Sequence, residues 1–266
     1  MAKPGRWNSS PPPDAKPRTL RETLVKARIL KIISWNCCMK FRDKAQFILQ
    51  QNPDILIIQE CEAFEKIDFG RFPTLPTSKL WTQYGDGHKG LAIFSFGKFS
   101  FTVHENYRSD FSVIVPVNIT DGITSFNLFG VWTVNTGKPG GHYIHQIWNA
   151  VEFYQCDIGS ENTLLIGDFN SNVVFDKKNS AVSHQNLVRN LAEKGLKSVY
   201  HAVRNQVQGE ESEPTFYLYR HADKAFHIDH CFASEDFLNR LSTFEIGKYE
   251  DWKAYSDHSP LMLTFN

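Results

Sequence analysis

Residues 164–170 read LLIGDFN, and this heptapeptide constrains the fold more than any other stretch of the chain. The apolar residues that open it make a buried strand. Gly167 lets the backbone leave that strand tightly. Asp168 and Asn170 then project from one side of an extended segment, because alternate residues of a strand share a face. A carboxylate and a carboxamide side by side at a strand's C-terminal end suit a hard cation or a polarised phosphate oxygen. A turn capped by Asp and Asn gives the same letters. Recurrence separates the two readings, since other apolar runs end or begin in polar residues of the same kind.

Asn36 follows ILKIISW, and Glu60 follows DILIIQ. The segment Trp132 to Asn135 follows FNLFGV, Asp229 sits within FHIDHCF, and Asp257 and His258 sit within YSDHSP. Gathered at one end of packed sheets, such termini form a cleft floor of carboxylates, carboxamides and an imidazole. Each has a plainer reading. Asn36 alone reads as a turn cap. Glu60 and Asp229 are flanked by apolar residues, so each needs a partner, because an uncompensated buried charge is costly. His227 and His230 read as packing or surface residues. Adjacent residues seldom bond each other, so His258 must look beyond Asp257 for a carboxylate, and Asp229 is the natural one.

The strands lie within an alternating chain. Strands are expected at 29–35, 54–59, 91–96, 113–120, 124–134, 163–166, 215–219, 227–232 and 261–265, and helices at 43–51, 144–154 and 185–193. Several neighbouring strands lack a helix between them, which argues for a mixed sheet. With 266 residues, 41% of them hydrophobic, the chain can build one large core or two small ones, and α/β domains of this length are often single. No repeat and no second-domain boundary is evident. Residues 1–28 read as a basic, Pro-rich disordered tail, with residues 29–266 as one domain.

The net charge of zero is unevenly spread: residues 1–31 hold eight basic and two acidic side chains, which leaves the remainder acidic by six. That body lacks the basic balance of a protein that grips long nucleic acid, although a basic stripe or a bound cation is compatible with it. The five cysteines (Cys37, Cys38, Cys61, Cys156 and Cys231) are odd in number and mostly lie in apolar stretches, so they read as reduced residues of a cytoplasmic protein. No run is long enough to span a bilayer, and the N-terminus has no apolar leader segment.

Taken in order, SWN, QE, GDFN, IDH and SDHSP resemble the endonuclease/exonuclease/phosphatase superfamily over residues 29–266, with SWN, VWTVN, GDFNSN, EPTFY and HIDH most like a bacterial branch of it. The resemblance implies an α/β fold: a four-layered α/β sandwich of two mixed, largely antiparallel sheets packed face to face, with helices outside. It implies phosphoester hydrolysis dependent on Mg²⁺ or Mn²⁺. By the same resemblance Asn36, Glu60 and Asp257 form the metal end. Asp168 orients or deprotonates the attacking water, Asn170 holds a phosphate oxygen, and Asp229 pairs with His258 at the scissile phosphate. Asn135 matches the family's phosphate-side Asn.

Two positions depart from the AP endonuclease pattern. Cys38 stands where those enzymes have an Asp, and Trp132 stands where they have a Tyr. Indole offers neither an acid nor a charged donor, so Trp132 stacks on substrate or packs. Phe216 or Tyr217, after the exposed loop QGEESEP, lines the substrate cleft in this reading, with Tyr217 the assigned contact. Lys89, Lys138, Arg220 and Lys224 fall in expected rim loops, where a polyanion contact competes with ordinary solvation. The expected partner is nucleic acid as substrate; a small phosphorylated molecule or lipid is the alternative, and a non-catalytic scaffold a third reading. The sequence leaves the oligomeric state open.

Overall fold

The computed structural model describes residues 29–85, 87–111, 114–137 and 141–266. The tail 1–28 and Lys138 lie outside the described residues. Among the described residues, fourteen strands follow in chain order: β1 (Leu30–Asn36), β2 (Ile55–Glu62), β3 (Ser78–Gln83), β4 (Lys89–Ser95), β5 (Ser100–Val103), β6 (Ile114–Thr120), β7 (Ser125–Trp132), β8 (Thr163–Asp168), β9 (Leu196–Ser198), β10 (Phe216–Tyr217), β11 (Ala225–Phe226), β12 (Asp229–Ser234), β13 (Leu241–Ile246) and β14 (Leu261–Phe265). One six-stranded sheet has the order β13-β14-β1-β2-β4-β3, the other β5-β6-β7-β8-β12-β9, and β10 pairs with β11 alone.

The layering follows from alternation along each strand. Ile32, Ile55, Ile57, Leu91 and Ile93 of the first sheet meet Val115, Val117, Leu128, Leu164 and Ile166 of the second in one buried cluster. The intervening residues face outward onto helices. Ile33, Trp35, Leu56 and Ile58 pack under α1 (Phe41–Leu49) through Phe41, Ala45 and Ile48. Phe129, Val131, Leu165 and Phe232 pack under α2 (Tyr143–Phe153) and a further helix, His184–Glu193, through Ile147, Val151, Leu187 and Leu191. A strand whose every residue is buried therefore reads as a continuous apolar run. The order helix, sheet, sheet, helix is the four-layered sandwich that the resemblance implied.

Pairing directions decide where the polar ends go. β1 runs parallel to β2 and β7 parallel to β8, so the C-terminal ends of these four strands lie at one edge. β12 and β14 run antiparallel to their neighbours and begin at that same edge, with Asp229 opposite Asp168 and Leu261 opposite Ser34. Gly167 corrects the sequence reading, because the chain does not leave the strand there. Gly167 is inside β8 with φ 151°, and a Cβ would collide with the carbonyl oxygen of Val131 on β7. The glycine lets two parallel strands approach, and the turn comes at Asn170, where φ is 47°.

Edge elements differ most from expectation. β3, β5, β9 and β13 are short or half-exposed, and the strand expected at 215–219 shrinks to two residues followed by a 3₁₀ turn, Leu218–Arg220. Gly167→Ala must push β7 from β8 or strain β8, so it is expected to destabilise the protein by at least ~2 kcal/mol in urea unfolding. A midpoint equal to that of the unaltered chain would contradict the close-approach explanation.

Candidate active site

Asp168 is fully buried at the end of β8. Its Oδ2 accepts hydrogen bonds from Asn36 Nδ2 and Asn170 Nδ2, both at 2.9 Å, and its Oδ1 accepts the Asn170 backbone N–H at 2.9 Å. The left-handed turn at Asn170 brings that carboxamide back onto Asp168, and its Nδ2 also donates to the Thr133 carbonyl at 3.0 Å. Thr133 in turn bonds the Phe169 carbonyl through its hydroxyl. Burial raises the Asp168 carboxyl and the Asp229 charge raises it further, to about 7, against the opposing pull of His258, Asn36 and Asn170.

His258 stands across from it. Its Nδ1 is 2.8 Å from Asp229 Oδ2, both side chains buried, which leaves Nε2 for the cleft. Burial works against the imidazolium, and the Asp229 and Asp168 carboxylates more than reverse this, pushing His258 up to about 10. It is charged at neutral pH. Several residues fix this pair. Thr215 Oγ1 accepts the backbone N–H of Ile228 at 3.0 Å and of Asp229 at 2.9 Å. Ser256 Oγ donates to the Asn36 carbonyl at 2.7 Å and accepts the His258 N–H at 3.0 Å, and Trp35 Nε1 donates to the His258 carbonyl at 3.0 Å. The small polar residues of EPTFY and YSDHSP thus hold the backbone of the two charged ones.

Glu60 lies on the other side. β2 bulges between Ile58 and Cys61, and Glu60 adopts φ 56° there. A bulge re-aims one side chain relative to the ladder, and a positive φ on a residue with a Cβ is uncommon. Its Oε2 meets Lys89 Nζ at 2.9 Å, the partner that a buried-strand glutamate required. Lys89 is the first residue of β4 rather than a loop residue. Asp257 is half-buried beside Cys38, whose thiol is raised by burial and then by that carboxylate, against the opposing effect of a hydrogen bond with Arg220. Asn36 spends its amide on Asp168 and its Oδ1 on the Cys38 N–H at 3.0 Å. It positions Asp168, and one lone pair of Oδ1 remains.

Three expected substrate contacts are corrected or placed elsewhere. Trp132 is 1% exposed and joins the core between the sheets, so it offers no face for stacking. Tyr217 is 9% exposed and packs against Tyr249 with the rings tilted and their centroids 4.5 Å apart. Its neighbour Phe216 faces the cleft instead, with its ring 4.7 Å from that of His258. Asn135 is exposed, and its Oδ1 accepts the Gly137 N–H at 3.0 Å; no hydrogen bond ties it to the cluster among the described residues.

Two features escaped the sequence reading. Tyr143, at the start of α2, is half-buried in the cleft; burial raises its phenol, and the Asp168 and Glu60 charges raise it further. A cavity of about 370 Å³ adjoins Asn170 and is lined by His142, Tyr143, Phe175, Phe216, Leu218 and Phe226 among others. His227 and His230 are buried and pack with His184, with ring centroids 5.1 and 4.7 Å from His230, which agrees with a packing role. The five cysteines are free, but Cys156 is exposed.

The sequence signature of the endonuclease/exonuclease/phosphatase family matches residues 33–258, and the chain belongs to that family. Among solved structures, the fold is similar to an AP endonuclease from Leishmania major, at 10% identity and TM-score 0.67, covering 90% of this chain and 88% of that one. It is similar to the 3′ phosphatase NExo from Neisseria, bound to a product DNA hairpin, at 22% identity and TM-score 0.64, covering 89% and 99%. An AP endonuclease from Archaeoglobus fulgidus gives 20% identity and TM-score 0.62, covering 89% and 99%. No curated protein sequence matches the chain. No helix among the described residues is long and apolar enough to cross a membrane.

Replacing Asp229 with Asn removes the carboxylate that holds the imidazolium. The His258 pKa, followed by NMR titration of its ring nitrogens, is expected to fall from about 10 toward the ordinary imidazole range near 6.5. An unchanged titration would mean that another group sets its charge.

Proposed function

We propose that this chain hydrolyses phosphoesters with the help of a divalent cation, Mg²⁺ or Mn²⁺, and that its substrate is a phosphodiester of nucleic acid. The observation that carries this is the opposition of a buried, hydrogen-bonded carboxylate at Asp168 to a buried imidazolium at His258, their oxygen and nitrogen atoms within 4.8 Å of each other and of Asp229. Phosphoryl transfer asks for an oriented water and for charge neutralisation on the phosphate oxygens, and little covalent chemistry.

Asp168 supplies the first need. Its Oδ1 accepts a single hydrogen bond and retains a lone pair for water, and a carboxyl raised to about 7 is a stronger base than an ordinary one. His258 supplies positive charge at the scissile phosphate through Nε2, while Asp229 keeps Nδ1 protonated and the ring fixed. Asn170 holds a phosphate oxygen once its amide exchanges one of its present acceptors, Thr133 or Asp168. Tyr143 adds a phenolic donor on the same side. Phe216 shields His258 from solvent, and the adjoining apolar cavity receives the organic group that flanks the phosphate.

The donors around Glu60 fit a hard cation. Glu60, Asp257 and Asn36 Oδ1 are oxygen ligands, which suit Mg²⁺ and Mn²⁺, and a cationic group already sits on Glu60. Asp168, Asp229 and His258 are close enough to hold an ion as well. That position is disfavoured, because Asp168 is already bonded to Asn36 and Asn170 and the imidazolium repels a cation. When bound at Glu60, the ion would neutralise charge on the phosphate oxygens.

A phosphatase or lipid phosphodiesterase acting on a smaller substrate is the second reading, favoured by the acidic balance of residues 32–266. A panel of supercoiled plasmid, abasic duplex, single-stranded DNA, RNA, an inositol phosphate and sphingomyelin, each with Mn²⁺ or Mg²⁺, separates the two. Cleavage of a nucleic acid is expected, stopped by EDTA and lowered on the order of 10²–10⁴-fold in kcat by Asp168→Asn. Turnover of the lipid or inositol substrate alone would favour the second reading. Turnover that survives both EDTA and Asp168→Asn would defeat the mechanism.

A further inference from the structure

Glu60 is aimed at the cleft by a bulge and a left-handed backbone, and the group it meets there is an ammonium. Lys89 lies opposite Glu62 in the β2–β4 pair, and its Nζ reaches back along the strand to Glu60 Oε2 at 2.9 Å. The same Nζ stands 5.3 Å from the ring centroid of Trp132. A carboxylate on one side and an indole face on the other anchor the cation. The two charged side chains are only 33% and 22% exposed, so the pair is more than a solvated surface contact.

We infer that Lys89 is a tethered cation that holds the place of the divalent ion on Glu60 and is displaced toward the substrate phosphate when the ion binds. The inference rests on the metal-assisted reading given above. Charge balance carries it. The cleft contains Glu60, Asp168, Asp229 and Asp257 against the His258 imidazolium, Arg220 beside Asp257 and Cys38, and Lys89, and among the described residues only Lys89 is paired with Glu60. Without an ion, Lys89 neutralises Glu60 and preserves its strained aim. With an ion on Glu60, two cations would crowd one carboxylate, and their repulsion drives the ammonium out. A phosphodiester brings the negative charge that then receives it. Ion and substrate therefore bind with positive coupling, each strengthening the other through Lys89, and that coupling is reciprocal.

The test is calorimetric titration of Mn²⁺ into the unaltered chain and into Lys89→Met and Glu60→Gln. Each titration is made with and without a phosphorothioate-linked oligothymidylate that resists cleavage. Removal of the competitor is expected to tighten Mn²⁺ binding about threefold or more in Lys89→Met. The oligonucleotide is expected to tighten Mn²⁺ binding to the unaltered chain and to lose that effect in Lys89→Met. Glu60→Gln should abolish the binding. Lys89→Gln replaces Lys89→Met if melting curves show that the latter is unfolded. Mn²⁺ affinity unchanged or weakened in the lysine variants, with Glu60→Gln still abolishing it, would overturn the placeholder role alone. A chain that takes up no Mn²⁺ and keeps its activity in EDTA would overturn the metal-assisted reading along with it.

Discussion

One buried hydrogen bond joins the two sheets at the cleft: Asn36 Nδ2, at the end of β1, donates to Asp168 Oδ2, at the end of β8. Everything proposed for the site depends on it. It fixes the position of one sheet's strand ends relative to the other's. It also satisfies a carboxylate that burial would otherwise drive toward its neutral form. Gln59 repeats the device one strand over, donating to Ser34 Oγ within its own sheet and to the Val131 carbonyl across the sandwich. Packed apolar faces can slide, whereas a pair of directional bonds between them allows one alignment.

The charges that this alignment assembles are segregated. Asp168 sits in the middle, the imidazolium of His258 and its partner Asp229 on one side, and Glu60 with Lys89 on the other. A phosphate lying over Asp168 would find positive charge on both flanks, and a water on Asp168 would face its phosphorus. The backbone irregularities fall where this geometry is made: positive φ at Glu60 and Asn170, and the close approach that only Gly167 permits. Strain of this kind persists only when the surrounding structure over-determines it.

Much of this was legible in the sequence. The buried strands announced themselves as apolar runs, and their polar ends fell where parallel and antiparallel pairing brings them together. What failed did so for identifiable reasons. Trp132 shares its strand face with Leu128, which points between the sheets, so parity along β7 places it in the core. Phe216 and Tyr217 are adjacent and face opposite ways, and sequence alone does not say which faces the cleft. Lys89 precedes the apolar run that begins at Leu91, so its sequence signal is that of a loop although it opens β4. Tyr143 opens a helix after a glycine-rich stretch of sequence, and only tertiary packing brings its phenol under the influence of the Asp168 and Glu60 charges. Edge strands such as β3 bury little, and so leave little periodic signal.

The central claim is that positive charge is divided between a metal end at Glu60 and an imidazolium end at His258. A crystal grown with Mn²⁺ tests it most directly, by locating the ion from its anomalous scattering. The expected peak lies against the Glu60 carboxylate, with Lys89 Nζ moved away from it. A peak enclosed by Asp168, Asp229 and His258, with the Lys89–Glu60 pair intact, would contradict it.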